Sequence, residues 1–478
     1  MPMSHSLDRF QSALQSGDML AVSEAARALV SENPPLGGEW GQIADITLQA
    51  GDEIAAIDAA KALREALPEH AESHVWVASM LSSAGDHAGA LTAIDAAIAR
   101  FPDRADLHRR RGRFLTELGR IDAAREAFFA AISRNGQDAL AWEGLASVYT
   151  FTDADPILLK MEELRIGWPP ETPARDRGIL AYALAKAYSD TGQHDLAARR
   201  VAEGAAFVRE GQEFDVDHHE RAMDQIIATY DDRFAADHDE AGLVDSRPVF
   251  LIAPPAAGAS WLARVLAAGE GAVKLPRRNA LFWLASSPLA DKDGDRLLRE
   301  LEAGEAEGLF GKVGRFYLDR VSERFGREPK KVVDPSTLNE MSAGVAGLAL
   351  PAAKFIRLTR EPRDLAWAIY ARRFAQARTW TYHPDDIARV LATHEKLCAR
   401  WEALFPDRFL TISYEDLAAD PAATVKRAAQ FAGIEAEGPV AEAWLRADVF
   451  EADPVGVHER AGKRFEPVEA ALKRAGLV

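Results

Sequence analysis

A repeat of 34 residues in the first 150 positions constrains the fold more than any other feature of the chain. Three independent columns keep this step in one register. The glycine column is Gly17, Gly51, Gly85 and Gly119; the small-residue column is Ala44, Ala78, Gly112 and Ala146; the third is Pro34, Pro68, Pro102 and Gly136. Columns in one register indicate stacked copies of a single structural unit.

The spacing predicts a pair of antiparallel helices in each unit. Glycine suits the turn between the helices, small residues suit their close crossing, and proline follows the second helix. Because one pair cannot bury its apolar face alone, the units must stack. Trp142, Leu145, Ala146 and Tyr149 resemble the W-x2-L-G-x2-Y pattern of tetratricopeptide (TPR) repeats. The resemblance implies an all-α TPR solenoid of four repeats over residues 1–150.

Residues 151–245 predict a helical connector with a further TPR-like unit. The offsets of the repeat recur at Leu184, Ala185, Tyr188, Gly192 and Ala197. The proline-rich segment GWPPETP at 167–173 precedes this unit and predicts an interruption of the stack.

Two arginines of the third repeat are candidate partner-binding residues. Arg109 and Arg113 lie one helical turn apart, at positions expected to face the groove of a TPR array. Guanidinium groups there could hold acidic side chains or a terminal carboxylate of a protein or peptide. The alternative is that LHRRRGRF at 107–114 is a solvent-exposed helix face.

The pattern changes from residue 246. Short apolar runs at 249–253, 331–333, 354–359 and 408–413 alternate with helical stretches at 364–378, 385–404 and 421–432. This alternation predicts a three-layer α/β domain with a mostly parallel sheet over residues 246–478. The turn APPAAGAS at 253–260 follows the first run and precedes a helix. Such an arrangement can hold a phosphate group against backbone N–H groups.

The segment PVFLIAPPAAGASWLARVL at 248–266 resembles the opening of sulfotransferase domains, whose loop usually reads G-x-P-R-S-G-T-[TS]. Later matches keep the family's order: KFIRLTREPRDLAWAIYARRF at 354–374, ISYEDLAADPAATVKRAAQFAGI at 412–434 and HERAGKRFEP at 458–467. The segment FDVDHHERAMDQIIATYDDRF at 214–234 resembles the helical connector of bacterial proteins that fuse TPR repeats to a sulfotransferase domain, so the resemblance covers almost the whole chain. The resemblance implies a P-loop-like site for 3′-phosphoadenosine-5′-phosphosulfate (PAPS), whose sulfuryl group is transferred to a hydroxyl or amine.

The loop departs from the family pattern. The positions of Arg-Ser-Gly-Thr are taken by Ala256, Ala257, Gly258 and Ala259. Gly258 keeps a close backbone approach and Ser260 keeps one hydroxyl, so both are candidate cofactor-binding residues. Each lost charge-assisted hydrogen bond is expected to cost about 1.5–3 kcal/mol of donor binding. The alternative is a structural turn without a ligand.

The catalytic positions of the family are also replaced. Pro335 stands after Asp334 where the family often has lysine, and we expect Asp334 to be a turn or cap residue. Arg277 lies near the position of the family's glutamate base, with Lys274 and Arg278 beside it. Arginine cannot act as a base because it keeps its proton. The three cations could bind an anion or could be ordinary surface charges, and no catalytic residue is assigned.

The nucleotide half of the family site is better kept. The resemblance assigns Arg360 to the 3′-phosphate, although Ala368 stands at the position of the accompanying serine. The alternative for Arg360 is an ion pair with Glu361 or Asp364. A basic C-terminal segment resembles the one that covers the nucleotide in the family, and its candidate residues are Arg460, Lys463 and Arg464. The expected cofactor is weakly bound PAPS or adenosine 3′,5′-bisphosphate (PAP).

The composition limits the remaining classes. A net charge of −17 argues against nucleic-acid binding, and no run of about 18 apolar residues could span a membrane. Cys398 is the only cysteine, and the first residues lack a signal-peptide pattern, so we expect a cytoplasmic protein. The adjacent His218 and His219 lack metal-ligand spacing, so no metal site is expected. The oligomeric state stays open.

Two functions remain. In the first, the array binds a protein or peptide, and the sulfotransferase-like domain is a scaffold or nucleotide sensor that has lost efficient transfer. In the second, the domain is an active PAPS-dependent sulfotransferase, and the array presents an acceptor hydroxyl. The joint replacement of the loop arginine, the strand-end lysine and the base favours the first.

Overall fold

The computed structural model describes residues 5–16, 19–210, 212–238, 242–276, 308–326, 328–337, 339–374, 378–435 and 454–478. The chain divides into two compact units, and each unit is made of three separate stretches. The first unit comprises Met1–Leu67, Asp217–Glu361 and Thr393–Pro454. The second comprises Pro68–Val216, Pro362–Ala392 and Val455–Val478.

The part of the chain before residue 238 is helical. Its helices are α1 (His5–Ser16), α2 (Met19–Glu32), α3 (Glu39–Gln49), α4 (Glu53–Ala66), α5 (Ala71–Ser83), α6 (His87–Arg100), α7 (Ala105–Glu117), α8 (Ile121–Arg134), α9 (Ala139–Val148), α10 (Pro156–Gly167), α11 (Ala174–Asp190), α12 (His194–Arg209), α13 (Val216–Thr229) and α14 (Asp232–Asp237). The predicted all-α region is therefore confirmed.

The 34-residue repeat has the predicted structural cause. Gly51, Gly85 and Gly119 lie between the helices of successive pairs with φ of 76°, 77° and 71°, a left-handed conformation that favours glycine. Gly112 allows α7 and α8 to approach closely, because a Cβ there would lie 2.7 Å from the ring of Phe128. The 34-residue spacing therefore corresponds to the turn and the close helix crossing in each helix pair.

The remaining strands and helices form an α/β arrangement. The strands are β1 (Pro248–Ile252), β2 (Ala272–Lys274), β3 (Lys331–Asp334), β4 (Lys354–Thr359) and β5 (Phe409–Ser413). The helices are α15 (Ala259–Leu266), α16 (Leu309–Phe325), α17 (Asn339–Ala349), α18 (Pro362–Tyr370), α19 (Pro384–Leu404), α20 (Tyr414–Ala419), α21 (Pro421–Ala432) and α22 (Glu466–Arg474). Short 3-10 segments are Thr379–Tyr382, Pro406–Arg408 and Val457–Phe465.

The sheet of the first unit is parallel throughout its described strands. Its order is β2-β3-β1-β4-β5, so β1 lies in the middle, between β3 and β4. All residues of β1 are buried, as expected for a strand that is covered on both faces. Phe250 packs against Tyr317 of α16 with ring centroids 5.6 Å apart, and α15 and α21 contact each other and the strands. The predicted parallel α/β fold is confirmed.

The second unit joins the later repeat helices to segments from the C-terminal half of the chain. Glu143 of α9 accepts two hydrogen bonds from Arg373, at 2.5 and 2.6 Å. The Tyr182 hydroxyl of α11 donates to the carbonyl of Tyr370 at 3.2 Å. Helix α18 also packs on α22, and the ring centroid of Trp367 lies 6.3 Å from that of Phe465.

The element bounds confirm most of the predicted strands and helices and correct others. Four of the five strands and the helices at 385–404 and 421–432 lie close to their predicted positions. The helix predicted over 364–378 is wrong at its end, because α18 stops at Tyr370. The short β2 and the helices α16 and α17 were not predicted. A three-residue strand carries too few positions for a periodic signal.

Candidate functional site

The loop after β1 forms a turn at the carboxyl end of the central strand. Gly258 caps the start of α15 with φ 93°, and Ala256 also has a positive φ, at 67°. A left-handed conformation is uncommon for alanine. The loop therefore brings backbone groups and the helix start together, as the strand–turn–helix pattern predicted.

The side chains of this loop offer almost no polar groups. Ala257 and Ala259 are buried, while Ser260 is partly exposed in the first turn of α15. A Cβ added at Gly258 would lie in van der Waals contact with Tyr414 and Leu417, at 3.5 and 3.6 Å. Any anion held by residues 253–260 would depend mainly on backbone N–H groups.

Arg360 brings a positive charge to the loop. It follows β4, the neighbour of β1, and is 5% exposed. Its Nη1 donates to the carbonyl of Ala256 at 3.0 Å, and its Nη2 donates to the carbonyl of Pro454 at 3.4 Å. The guanidinium carbon lies 4.1 Å from the centroid of the Tyr414 ring. Arg360 thus braces the loop in addition to any role towards a ligand.

Asp334, at the end of β3, is held by hydrogen bonds from neighbouring residues of the fold. Its carboxylate accepts hydrogen bonds from the backbone N–H of Ser336 at 2.9 Å and from the Tyr317 hydroxyl at 3.2 Å. The Asn339 amide links the strand ends by donating to the carbonyls of Leu251 and Asp334. Burial raises the pKa of Asp334 to about 6, against the lowering effect of its hydrogen bonds. The backbone hydrogen bond agrees with the predicted turn role.

Asp364, in the second unit, anchors the C-terminal segment. Its carboxylate accepts hydrogen bonds from the backbone N–H groups of Gly456 and His458 at 2.6 and 3.1 Å. The Nδ1 atom of His458 lies 2.6 Å from the same carboxylate. Burial alone would raise the pKa of Asp364, but the hydrogen bonds from His458 and Gly456 outweigh it and hold the pKa below its usual value. Sequence reasoning missed this anchor.

The basic candidates of the C-terminal segment lie in Val457–Phe465, in the second unit. Arg460 and Lys463 are exposed, and Arg464 donates to Asp195 at 3.1 Å. The segment bends at Gly462, whose φ is 54°. Gly258, Ser260 and Arg360 belong to the first unit, so the cofactor-binding candidates are divided between the units.

Comparison with known families matches both halves of the chain. Tetratricopeptide repeat models match residues 42–105 and 81–148, and a sulfotransferase family model matches residues 248–438. The chain combines TPR repeats with a sulfotransferase-family domain. The resemblance inferred from its motifs is therefore confirmed.

Individual relatives are distant. An uncharacterized protein of Aquifex aeolicus is 22% identical over 289 residues, and the match covers 57% of this chain but only 37% of the relative. The chain thus spans just over a third of the length of that curated relative. The sulfotransferase domain from the curacin biosynthetic pathway is 18% identical, with a TM-score of 0.31 over 46% of this chain and 83% of that domain. The sulfotransferase from Alicyclobacillus acidocaldarius is 19% identical, with a TM-score of 0.31 over 48% and 96%.

The candidate residues of the TPR region lie on α7. Arg109 donates its Nε to Asp138, the N-cap of α9, at 2.9 Å. Arg113 is exposed, and its guanidinium carbon lies 5.1 Å from the centroid of the Phe114 ring. Their proposed clamp role stays a prediction.

Of the three cations near the expected base position, the structure describes only one. Lys274 ends β2 and is exposed, whereas Arg277 and Arg278 lie outside the described residues. Glu270, the nearest carboxylate before them, accepts a hydrogen bond from Lys330 at 2.8 Å.

None of the described helices is long and apolar enough to cross a membrane.

Proposed function

We propose that the TPR repeats bind a protein or peptide partner and that the sulfotransferase domain no longer transfers sulfuryl groups efficiently. The domain then acts as a scaffold or as a nucleotide sensor. We place the TPR array at 1–150, the connector at 151–245 and the sulfotransferase-like domain at 246–478. We also propose that the protein is cytoplasmic.

One observation carries this conclusion: alanines stand at the loop positions 256, 257 and 259, where the family has Arg, Ser and Thr, and the nearby cation Arg360 donates to backbone carbonyls. Sulfuryl transfer requires donors aimed at the charge that develops between phosphate and sulfate. Two missing charge-assisted hydrogen bonds weaken donor binding by about 3–6 kcal/mol, which is about 10²- to 10⁴-fold. A domain with these losses is better suited to weak nucleotide binding than to turnover.

The nucleotide-sensing role would use the cations that the family resemblance assigns to the 3′-phosphate end. These are Arg360, Arg460, Lys463 and Arg464, with Gly258 and Ser260 at the loop. PAP carries the phosphates but lacks the sulfate, which would meet the alanine side chains. We therefore expect PAP to bind at least as tightly as PAPS.

A second candidate function, active sulfotransferase, is favoured by the backbone of the loop. Ala256 keeps a left-handed φ of 67°, and such strain costs about 1–3 kcal/mol and is often kept at ligand sites. Backbone N–H groups at the start of α15 could then hold the donor, and a bound partner could supply missing groups.

Calorimetric titration with PAPS separates the two functions, together with transfer of radiolabelled sulfate to proteins of a cell lysate. We expect a Kd of about 1 mM or weaker and no transfer. Ala256→Arg should tighten PAPS binding by about tenfold or more because it restores a guanidinium donor. Ala422→Arg, which adds the same charge at an exposed position of α21, should not. A micromolar Kd with sustained transfer by the wild-type chain would establish the second function.

A further inference from the structure

Three residues stand at one position of the repeat, the position that is predicted to face the groove of the array. Arg109 lies on α7, Glu143 lies 34 residues later on α9, and Tyr182 lies 39 residues after that on α11. The step of 39 also relates the motif residues of the two last repeats, Leu145, Ala146 and Tyr149 in one and Leu184, Ala185 and Tyr188 in the other. Helix α9 packs against both α7 and α11, so the column follows neighbouring first helices of the repeats.

Two members of this column bind a segment of the same chain, residues 370–374 (YARRF). The Nε and Nη2 atoms of Arg373 donate to the two carboxylate oxygens of Glu143, at 2.5 and 2.6 Å. The Tyr182 hydroxyl donates to the carbonyl of Tyr370 at 3.2 Å. All of these residues belong to the second unit. The groove position of two successive repeats is therefore occupied by an internal segment.

The segment 370–374 is held through groups that a short extended peptide also offers. Helix α18 ends at Tyr370, and Tyr182 satisfies a carbonyl that has no partner within the end of the helix. The backbone N–H of Phe374 donates to the Tyr382 hydroxyl at 2.8 Å, and that hydroxyl donates to the carbonyl of Phe374 at 2.7 Å. The ring of Tyr382 packs edge-on against Tyr182, with centroids 6.0 Å apart. These contacts use backbone groups and one guanidinium, which another chain could supply.

The pair of Glu143 and Arg373 defines the chemistry of such a chain. Two nitrogens of one guanidinium meet two oxygens of one carboxylate, a fork geometry that the single ammonium group of lysine cannot reproduce. The side chains of Arg373 and Glu143 are only 17% and 26% exposed, so solvent screens the pair weakly. The groove position of α9 is thus suited to arginine.

We infer that the segment 370–374 is an internal ligand of the two last repeats, and that a partner segment that presents an arginine must displace it to bind there. The inference rests on the proposed binding role of the array and adds a closed state and the chemistry that opens it. This partner has the opposite charge to the one expected for Arg109 and Arg113. A tethered segment competes at an effective concentration of about 1 mM, so the free chain excludes weaker ligands from these repeats.

The test uses the full chain and a fluorescein-labelled peptide AIYARRF, the sequence of residues 368–374, with binding measured by fluorescence anisotropy at low ionic strength. Arg373→Gln frees Glu143 and should bind the peptide about tenfold more tightly than the wild type, or better. Adding Glu143→Gln to this variant should remove the gain, because the peptide then lacks its carboxylate. The matched control is Arg372→Gln, which removes the same charge one residue earlier but keeps the pair with Glu143. It should change binding less than twofold.

Variants of the peptide test the chemistry of the partner. A peptide with glutamine in place of its second arginine should lose the gain, and one with lysine there should bind Arg373→Gln about fivefold more weakly. Equal binding by the wild type and Arg373→Gln, or an equal gain in Arg372→Gln, would overturn the inference. Equal binding of the lysine and arginine peptides would overturn the assignment of an arginine-bearing partner.

Hydrogen exchange of the wild type gives a readout that needs no substitution. Excess unlabelled AIYARRF should make the amides of residues 370–374, including that of Phe374, exchange about twofold faster or more, because it increases the population in which the segment is displaced. The amides of α11 should be unaffected. Exchange at 370–374 that does not respond to the peptide would make this segment a fixed part of the fold and refute the inference.

These results are distinguishable from a failure of the proposed function. A peptide that binds none of the variants would remove the internal ligand, while partner binding through the earlier repeats of the second unit would stand. A micromolar Kd for PAPS with sustained transfer would overturn the proposed loss of transfer and leave the peptide results unchanged.

Discussion

The buried carboxyl of Asp334 gives a stability prediction with a defined sign. Asp334 is 1% exposed at the end of β3, and burial raises its pKa from 3.8 to about 6. Asp334→Asn replaces the carboxyl with a neutral group of the same shape. The asparagine Oδ1 can still accept from the N–H of Ser336, and its Nδ2 can donate to the Tyr317 hydroxyl.

The magnitude follows from the two pKa values. Since the folded chain holds this proton more tightly than the unfolded chain, the contribution to stability is present below pH 3.8 and is lost as the pH rises through 6. The shift of about 2 pH units corresponds to about 3 kcal/mol in total. About 1.4 kcal/mol of this loss falls between pH 5 and pH 8. Asp334→Asn lacks the titrating group and therefore lacks the loss.

Urea unfolding of the wild type and of Asp334→Asn at pH 5, 6, 7 and 8 measures the difference. The stability of the variant relative to the wild type should increase by about 1.4 kcal/mol from pH 5 to pH 8. Asp245→Asn is the control. Burial alone would raise the pKa of Asp245, but the ion pair with Arg247 outweighs burial and lowers this pKa. Between pH 5 and pH 8 its stability relative to the wild type should stay nearly constant, because the lowered pKa places the titration of Asp245 below this range. Parallel curves for the wild type and Asp334→Asn would refute the reasoning.

Three further predictions concern other positions. Burial and the charge of a nearby arginine lower the pKa of His394 to about 3, so the wild type should lose about 2 kcal/mol of stability relative to His394→Leu from pH 7.5 to pH 5 when both are unfolded in urea. A double-mutant cycle of Glu143→Gln and Arg373→Gln, measured by thermal unfolding, should give a coupling energy of about 1–2 kcal/mol, whereas a coupling near zero would show that the bidentate pair contributes nothing. Gly112→Ala should destabilise the chain by about 1–3 kcal/mol in the same assay, because the added methyl would lie 2.7 Å from a buried phenylalanine ring, and an unchanged midpoint would contradict that crowding.

The repeat and the sheet could be predicted because their signals are local and periodic. Gly85 and Gly119 mark turns whose positive φ only glycine adopts at low cost, and the step of 34 is visible without any structure. The run PVFLI at 248–252 is apolar throughout, as a strand buried on both faces requires. The strand signal is contained within a few neighbouring residues, and the turn signal recurs at a fixed step.

The contacts of the candidate site could not be predicted in the same way. Asp364 binds Gly456 and His458, which are more than 90 positions away, and no pattern near Asp364 identifies them. Arg360 donates to the carbonyl of Ala256, which has no side-chain polarity that a sequence could reveal. The residues of the loop are known from the sequence. The hydrogen bonds that neighbouring side chains make to the backbone of the loop depend on the tertiary fold.

The division of each unit into three separate stretches has a consequence for biosynthesis. The ribosome releases helices α5–α12 long before Pro362–Ala392 and Val455–Val478, with which they form one unit. Until those stretches emerge, Tyr182 and Glu143 lack their partners near Tyr370 and Arg373. The nascent chain must therefore carry these unfinished surfaces until the segment Val455–Val478 has emerged.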